Sequence, residues 1–168
     1  MRRPFCTVII LGSLILPALV AQTTKRPPGA DWPMYNRDLA GTRYSPLTQI
    51  NTKNVAKLKQ AWSFQLKADP TKPGPASEAT PIVVNDVMYL PAGNRIVALE
   101  PETGKIIWEY VIAEGVPQRR GVTYWPGDAN NPPRIFFTTG RKLVGLNAKT
   151  GKIDPGFGNE GSVDTVVP

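Results

Sequence analysis

The feature that most constrains this chain is an echo at a spacing of 47 residues. Met88-Tyr89-Leu90, Arg95-Ile96-Val97-Ala98-Leu99 and Thr103-Gly104-Lys105-Ile106 return as Ile135-Phe136-Phe137, Lys142-Leu143-Val144-Gly145-Leu146 and Thr150-Gly151-Lys152-Ile153. The same shift places Gly93 on Gly140, Val97 on Val144 and Leu99 on Leu146. Propeller blades are built from repeats of roughly 40–50 residues carrying four strands each. The competing reading, two similar hairpins in an ordinary sandwich, accounts for less of the match.

Each unit reads locally as hairpins. Apolar residues alternate at Ile82/Val84 and at Val97/Leu99, as half-buried strands require. Turn signals separate them: Asn85-Asp86, Gly93-Asn94 and Glu102-Thr103-Gly104-Lys105. The Thr-Gly-Lys glycine is expected in a left-handed conformation that closes a tight turn. The strand after it carries Trp108, placed to pack on a neighbouring blade, and Trp62 stands 46 residues earlier in the same role. The next unit has Pro155 near the position where a tryptophan would recur, so there the pattern lapses. With 18 prolines, 15 glycines and 20% charged residues in a chain of 168, the composition suits a turn-rich, all-β fold.

Residues 1–21, MRRPFCTVIILGSLILPALVA, have the order of a secretory signal peptide: two arginines, a short apolar run, and small residues at Ala18 and Ala21. Pro17 and the shortness of the run argue against a spanning helix, although retention as an anchor is the minority alternative. The mature domain is then 22–168, in the periplasm or secreted. Cys6, the single cysteine, lies in the leader, and the chain has no histidine, so thiol and imidazole chemistry are not expected of the mature domain. The net charge of +7 is scattered, without the basic stripe and interleaved aromatics of a nucleic-acid surface.

Two stretches carry a family resemblance. Asp31-Trp32-Pro33-Met34-Tyr35-Asn36-Arg37-Asp38, Gly41-Thr42-Arg43-Tyr44-Ser45-Pro46-Leu47 and the run to Ala61-Trp62 resemble the mature N-terminus of dehydrogenases that depend on pyrroloquinoline quinone (PQQ). Val97-Ala98-Leu99-Glu100, Thr103-Gly104-Lys105 and Trp108 are similar to that family's tryptophan-docking motif. The resemblance implies a partial β-propeller: about three blades of an eight-bladed ring with PQQ on its axis. It carries two cofactor-binding positions onto this chain. Glu78, in Glu78-Ala79-Thr80-Pro81, matches a glutamate that hydrogen-bonds the cofactor. Arg120, in Arg120-Gly121-Val122-Thr123-Tyr124-Trp125-Pro126-Gly127-Asp128, matches an arginine that pairs with its anionic edge. A guanidinium suits one of the three PQQ carboxylates because the fork geometry is complementary.

Arg119 is read as surface, Trp125, Tyr124, Phe136 and Phe137 as core or blade contacts, and Asp128 and Asp154 as structural residues. Members acting on methanol and ethanol carry adjacent cysteines where Glu114-Gly115 stands here. That difference and the tail from Gly156-Phe157-Gly158 to Asp164 resemble the glucose and quinate branch. The implied activity is oxidation of a sugar or alcohol, with electrons passed to ubiquinone or a cytochrome. Peripheral membrane contact is compatible with that acceptor. Calcium, its ligands and the Asp general base are expected beyond residue 168, so this chain supplies no catalytic residue, no metal ligand and no activity on its own. The alternative is a non-catalytic propeller of PQQ-like repeats that serves outer-membrane protein assembly.

Overall fold

Alternating apolar residues and two-residue turns fold the chain into two antiparallel sheets. The computed structural model describes residues 29–67 and 77–166. The leader expected at 1–21 lies outside them. The first sheet runs in the order β1 (Ile82–Val84), β2 (Val87–Ala92), β3 (Arg95–Leu99) and β4 (Ile106–Val111). The second runs β5 (Thr123–Trp125), β6 (Arg134–Thr139), β7 (Lys142–Asn147) and β8 (Ser162–Asp164). Each is a four-stranded meander of consecutive strands, the form of a propeller blade.

Turn chemistry sets the registers. Val84 pairs with Val87 across Asn85 and Asp86, whose φ values of 51° and 58° make the primed turn that matches strand twist. One rung of the first sheet joins Ile82, Tyr89, Ala98 and Trp108, and all four are buried. With Val84 and Ile96 this rung packs against Ile135, Phe137, Val144 and Leu146 of the second sheet. On the opposite face, Leu90, Ala92, Val97 and Leu99 are covered by Trp62, Phe64 and Leu66. Each buried Val, Leu, Ile or Phe contributes about 1.5–3 kcal/mol, so the two seams are the main source of cohesion.

The indoles lock the seams in a repeated way. Trp62 Nε1 donates to the Pro101 carbonyl at 3.0 Å, and Trp108 Nε1 donates to the Ala148 carbonyl at 3.0 Å. Under each ring lies a Thr-Gly-Lys glycine of the next unit. A Cβ on Gly104 would come within 2.5 Å of Trp62, and a Cβ on Gly151 within 2.5 Å of Trp108. Both glycines have the expected positive φ, at 71° and 69°. The glycine therefore closes the turn and also makes room for the preceding blade's tryptophan.

Two details refine the sequence expectation. Of about three blades, the described residues form two complete ones. The segment 62–66 docks as a last strand would, but it has no ladder partner among the described residues. Where Pro155 interrupts the tryptophan pattern, Phe157 supplies the ring. It lies 4.8 Å from Phe136 and would stand 2.9 Å from a Cβ on Gly145, the counterpart of Ala98. The loop containing Gly156 and Gly158 folds back over β7, which sequence spacing alone does not reveal.

Candidate cofactor site

β1 and β5 are the strands through which the two sheets approach each other along the first-strand edge. The segments that lead into them, 78–81 and 117–122, therefore meet at one end of the seam. Thr80 N–H donates to the Arg120 carbonyl at 3.1 Å, which ties these lead-in segments together. Gln118 N–H donates to the Thr138 carbonyl at 2.9 Å, and Pro117 bridges Thr139, which fastens segment 117–122 to β6. Gly121 follows at a φ of 145°, and a Cβ there would sit 3.1 Å from the Thr80 carbonyl. Glycine is thus what lets the two backbones approach.

This crossing brings the two sequence-predicted residues together across 42 positions of chain. Arg120 Nε lies 3.9 Å from Glu78 Oε2, with the side chains 81% and 56% exposed. A pair this open is worth about 0–1 kcal/mol to folding. Its guanidinium keeps most of its donors turned to solvent. An exposed fork of N–H donors beside a carboxylate acceptor can pair with a ligand carboxylate on one side and a ligand N–H on the other. Among the described residues no group of three or more Cys, Asp or Glu side chains is gathered to hold a metal ion.

The other singled-out residues have structural settings. Arg119 is exposed beside Arg120. Tyr124 stacks on Tyr89 at 6.4 Å, Phe137 is buried, and Trp125 lies under the Arg134 guanidinium at 5.0 Å. Asp128 caps its own turn. Its Oδ1 accepts from the Asn130 and Asn131 amides at 2.8 and 2.9 Å, and these bonds lower its pKa.

Asp154 is more than a turn residue. Its Oδ2 accepts from Arg134 Nε at 2.6 Å, with the two residues 9% and 6% exposed. The Arg134 hydrogen bond holds the Asp154 carboxyl below its usual range. Arg134 also donates to Asn131 Oδ1 at 3.1 Å and lies over Phe157. The pair pins the 154–161 loop at the end of the sheet away from Arg120. Sequence reading missed it, because Arg134 sits next to a proline pair and nothing in its spacing marks it as buried.

A cleft of about 290 Å³ opens at that far end of the seam, lined by Asn85, Tyr89, Trp108, Tyr124 and Lys149 among others. Its floor is the docking rings themselves. Burial pushes the Tyr89 hydroxyl up to about 12, and that hydroxyl donates to the Ala148 carbonyl at 3.3 Å. Among the described residues no helix is long and apolar enough to cross a membrane.

Comparison with known proteins agrees with the fold. Residues 32–167 match the family described as PQQ: Glucose/ethanol/alcohol dehydrogenase, beta-propeller domain. The dehydrogenase subunit of the quinone alcohol dehydrogenase of Gluconobacter oxydans is 39% identical over 134 residues, 73% of this chain and 16% of that protein. Quinoprotein glucose dehydrogenase A of Acinetobacter calcoaceticus is 34% identical over 175 residues, 85% of this chain and 22% of that protein. A solved europium-containing methanol dehydrogenase superposes with a TM-score of 0.57 at 33% identity, covering 76% of this chain and 22% of its own. The chain thus spans about a fifth of the length of the relatives it matches. With this match over most of its length, and with two meander blades locked by indole on glycine, the chain belongs to the PQQ-dependent glucose/ethanol/alcohol dehydrogenase β-propeller family.

Proposed function

We propose that this chain forms one wall of the cofactor site of an exported PQQ-dependent dehydrogenase of the glucose type. The observation that carries the reading is the meeting of Glu78 and Arg120 where the segments leading into β1 and β5 are joined. When bound, PQQ would supply the two-electron acceptor, and calcium, held by residues of other blades, would supply the Lewis acid. Arg120 would donate to a cofactor carboxylate and Glu78 would accept from a cofactor N–H, with the Thr80–Arg120 backbone bond keeping their segments together. Neither breaks a bond of the substrate. The base and the calcium ligands are assigned to blades beyond these two.

A sugar or other polyol is favoured over a simple alcohol because Glu114-Gly115 stands where a cysteine pair marks the alcohol branch. The tail from Gly156 to Asp164 also resembles the sugar branch. Relatives named for alcohol and glycerol oxidation keep the substrate class open to test. The acceptor is ubiquinone or a cytochrome, and the signal-peptide order of residues 1–21 supports export to the periplasm or the outside of the cell.

The test is equilibrium binding of PQQ, followed by quenching of the four tryptophans. Loss of one charge-assisted contact in Arg120→Ala should weaken binding about tenfold or more. Unchanged affinity would refute the assignment, and absence of PQQ binding with the remaining blades and calcium supplied would favour a scaffold propeller. The 168-residue chain alone is expected to oxidise no glucose, and turnover by it would overturn the division of labour between blades.

A further inference from the structure

We propose that Gln118 is a positioning residue for Arg120. It holds the backbone on the C-terminal side of that arginine so that the guanidinium stands beside Glu78. The proposal rests on the cofactor-wall reading for its ligand and on hydrogen-bond geometry for its device. Gln118 is exposed, so packing gives it no assigned role. Its Nε2 nevertheless reaches past Arg119 and Arg120 to donate to the Gly121 carbonyl at 3.3 Å. Its own amide is committed to Thr138 at 2.9 Å, and the Arg120 carbonyl is committed to Thr80 at 3.1 Å.

Successive carbonyls are therefore engaged on different partners. Arg120 is held by the first sheet, and Gly121 is held by Gln118, which is anchored on the second. The residue between them that needs the most restraint is Gly121. It has no Cβ and a φ of 145°, a conformation open to glycine and costly to other residues. Without the Gln118 bond, rotation at Gly121 swings the Arg120 peptide away from Thr80. A single exposed, neutral hydrogen bond adds little to global stability, so its effect should appear in local order and ligand affinity.

The experiment compares the wild-type chain with Gln118→Met, which keeps length but removes the donor, and with Gln118→Lys, which keeps a donor. Amide hydrogen exchange at Thr80 is measured without ligand, PQQ affinity is measured by titration, and the denaturation midpoint serves as a control. In Gln118→Met the Thr80 amide should exchange several-fold faster, and PQQ affinity should fall about two- to tenfold with an unchanged midpoint. Gln118→Lys should retain Thr80 protection. Wild-type protection of Thr80 in Gln118→Met would overturn the proposal. If Arg120→Ala weakens PQQ binding while Gln118→Met changes neither readout, this inference alone fails. If Gln118→Met deprotects Thr80 while Arg120→Ala leaves PQQ binding intact, the loop device stands and the cofactor wall falls.

Discussion

Replacing Gly151 by Ala tests the claim that the Thr-Gly-Lys glycine is a seat for an indole as well as a turn residue. Two costs are separable there. At a φ of 69° the new Cβ meets the left-handed penalty, about 1–2 kcal/mol, part of which is offset by a stiffer unfolded chain. The same Cβ would lie 2.5 Å from Trp108 Cε3 and 2.6 Å from Cδ2. Trp108 is held by its Ala148 hydrogen bond and by Tyr89 at 5.8 Å, so relieving the clash means shifting a packed ring, about 1–3 kcal/mol. Net of that offset, the total is about 1–4 kcal/mol. Gly140 provides the control: its φ is 53°, but a Cβ there meets nothing within 4 Å. Gly140→Ala should cost about 1 kcal/mol or less. Urea unfolding followed by tryptophan fluorescence reads both variants. In the background Trp108→Ala, the Gly151→Ala cost should fall to the Gly140 value, since the clash is gone. Equal costs for Gly151→Ala and Gly140→Ala in the wild-type background would refute the seat.

Arg134→Met should destabilise by about 3 kcal/mol, because it leaves Asp154 buried without its partner, and urea unfolding at neutral pH measures it. The Asp154 carboxyl has a folded pKa below its ordinary 3.8. Its contribution is therefore present above that value and is lost as pH falls through the folded pKa. Asp154→Asn should flatten the acid limb of the stability profile. Tyr89 runs the other way: burial raises its pKa from 10 to about 12, so its contribution is intact below pH 10 and is lost as pH rises towards 12. Tyr89→Phe should remove that alkaline loss in a stability–pH series.

Much of this arrangement could be read from the chain. The 47-residue echo located both blades, because each repeats the same turn chemistry at the same spacing. Trp108 was readable as a docking ring because Trp62 precedes it in register. What spacing could not show was compensation. Phe157 replaces the missing tryptophan only because a glycine-rich loop folds back over Gly145, a contact between residues that the repeat does not align. Arg134 and Asp154 are 20 residues apart in different parts of their unit, and a buried ion pair leaves no periodic trace. The pairing of Glu78 with Arg120 was likewise not visible. Family likeness pointed to each separately, while their meeting depends on the Thr80–Arg120 backbone bond.

That bond divides the molecule into a part that holds and a part that is free to bind. The seam carries buried rings, indole hydrogen bonds and glycines with no room for a methyl, so changes there alter folding. At its end Arg120 and Glu78 are mostly exposed, and their mutual attraction adds about 0–1 kcal/mol to stability. Removing Arg120 should therefore leave the urea midpoint almost untouched. A loss of PQQ affinity in Arg120→Ala would then report the missing guanidinium rather than a damaged fold. The converse holds for Gly121: alanine there presses on the Thr80 carbonyl and forces a φ of 145° on a residue with a Cβ. That substitution should lower PQQ affinity and stability together, and a variant that lost only affinity would show that the crossing of segments 78–81 and 117–122 is not part of the seam.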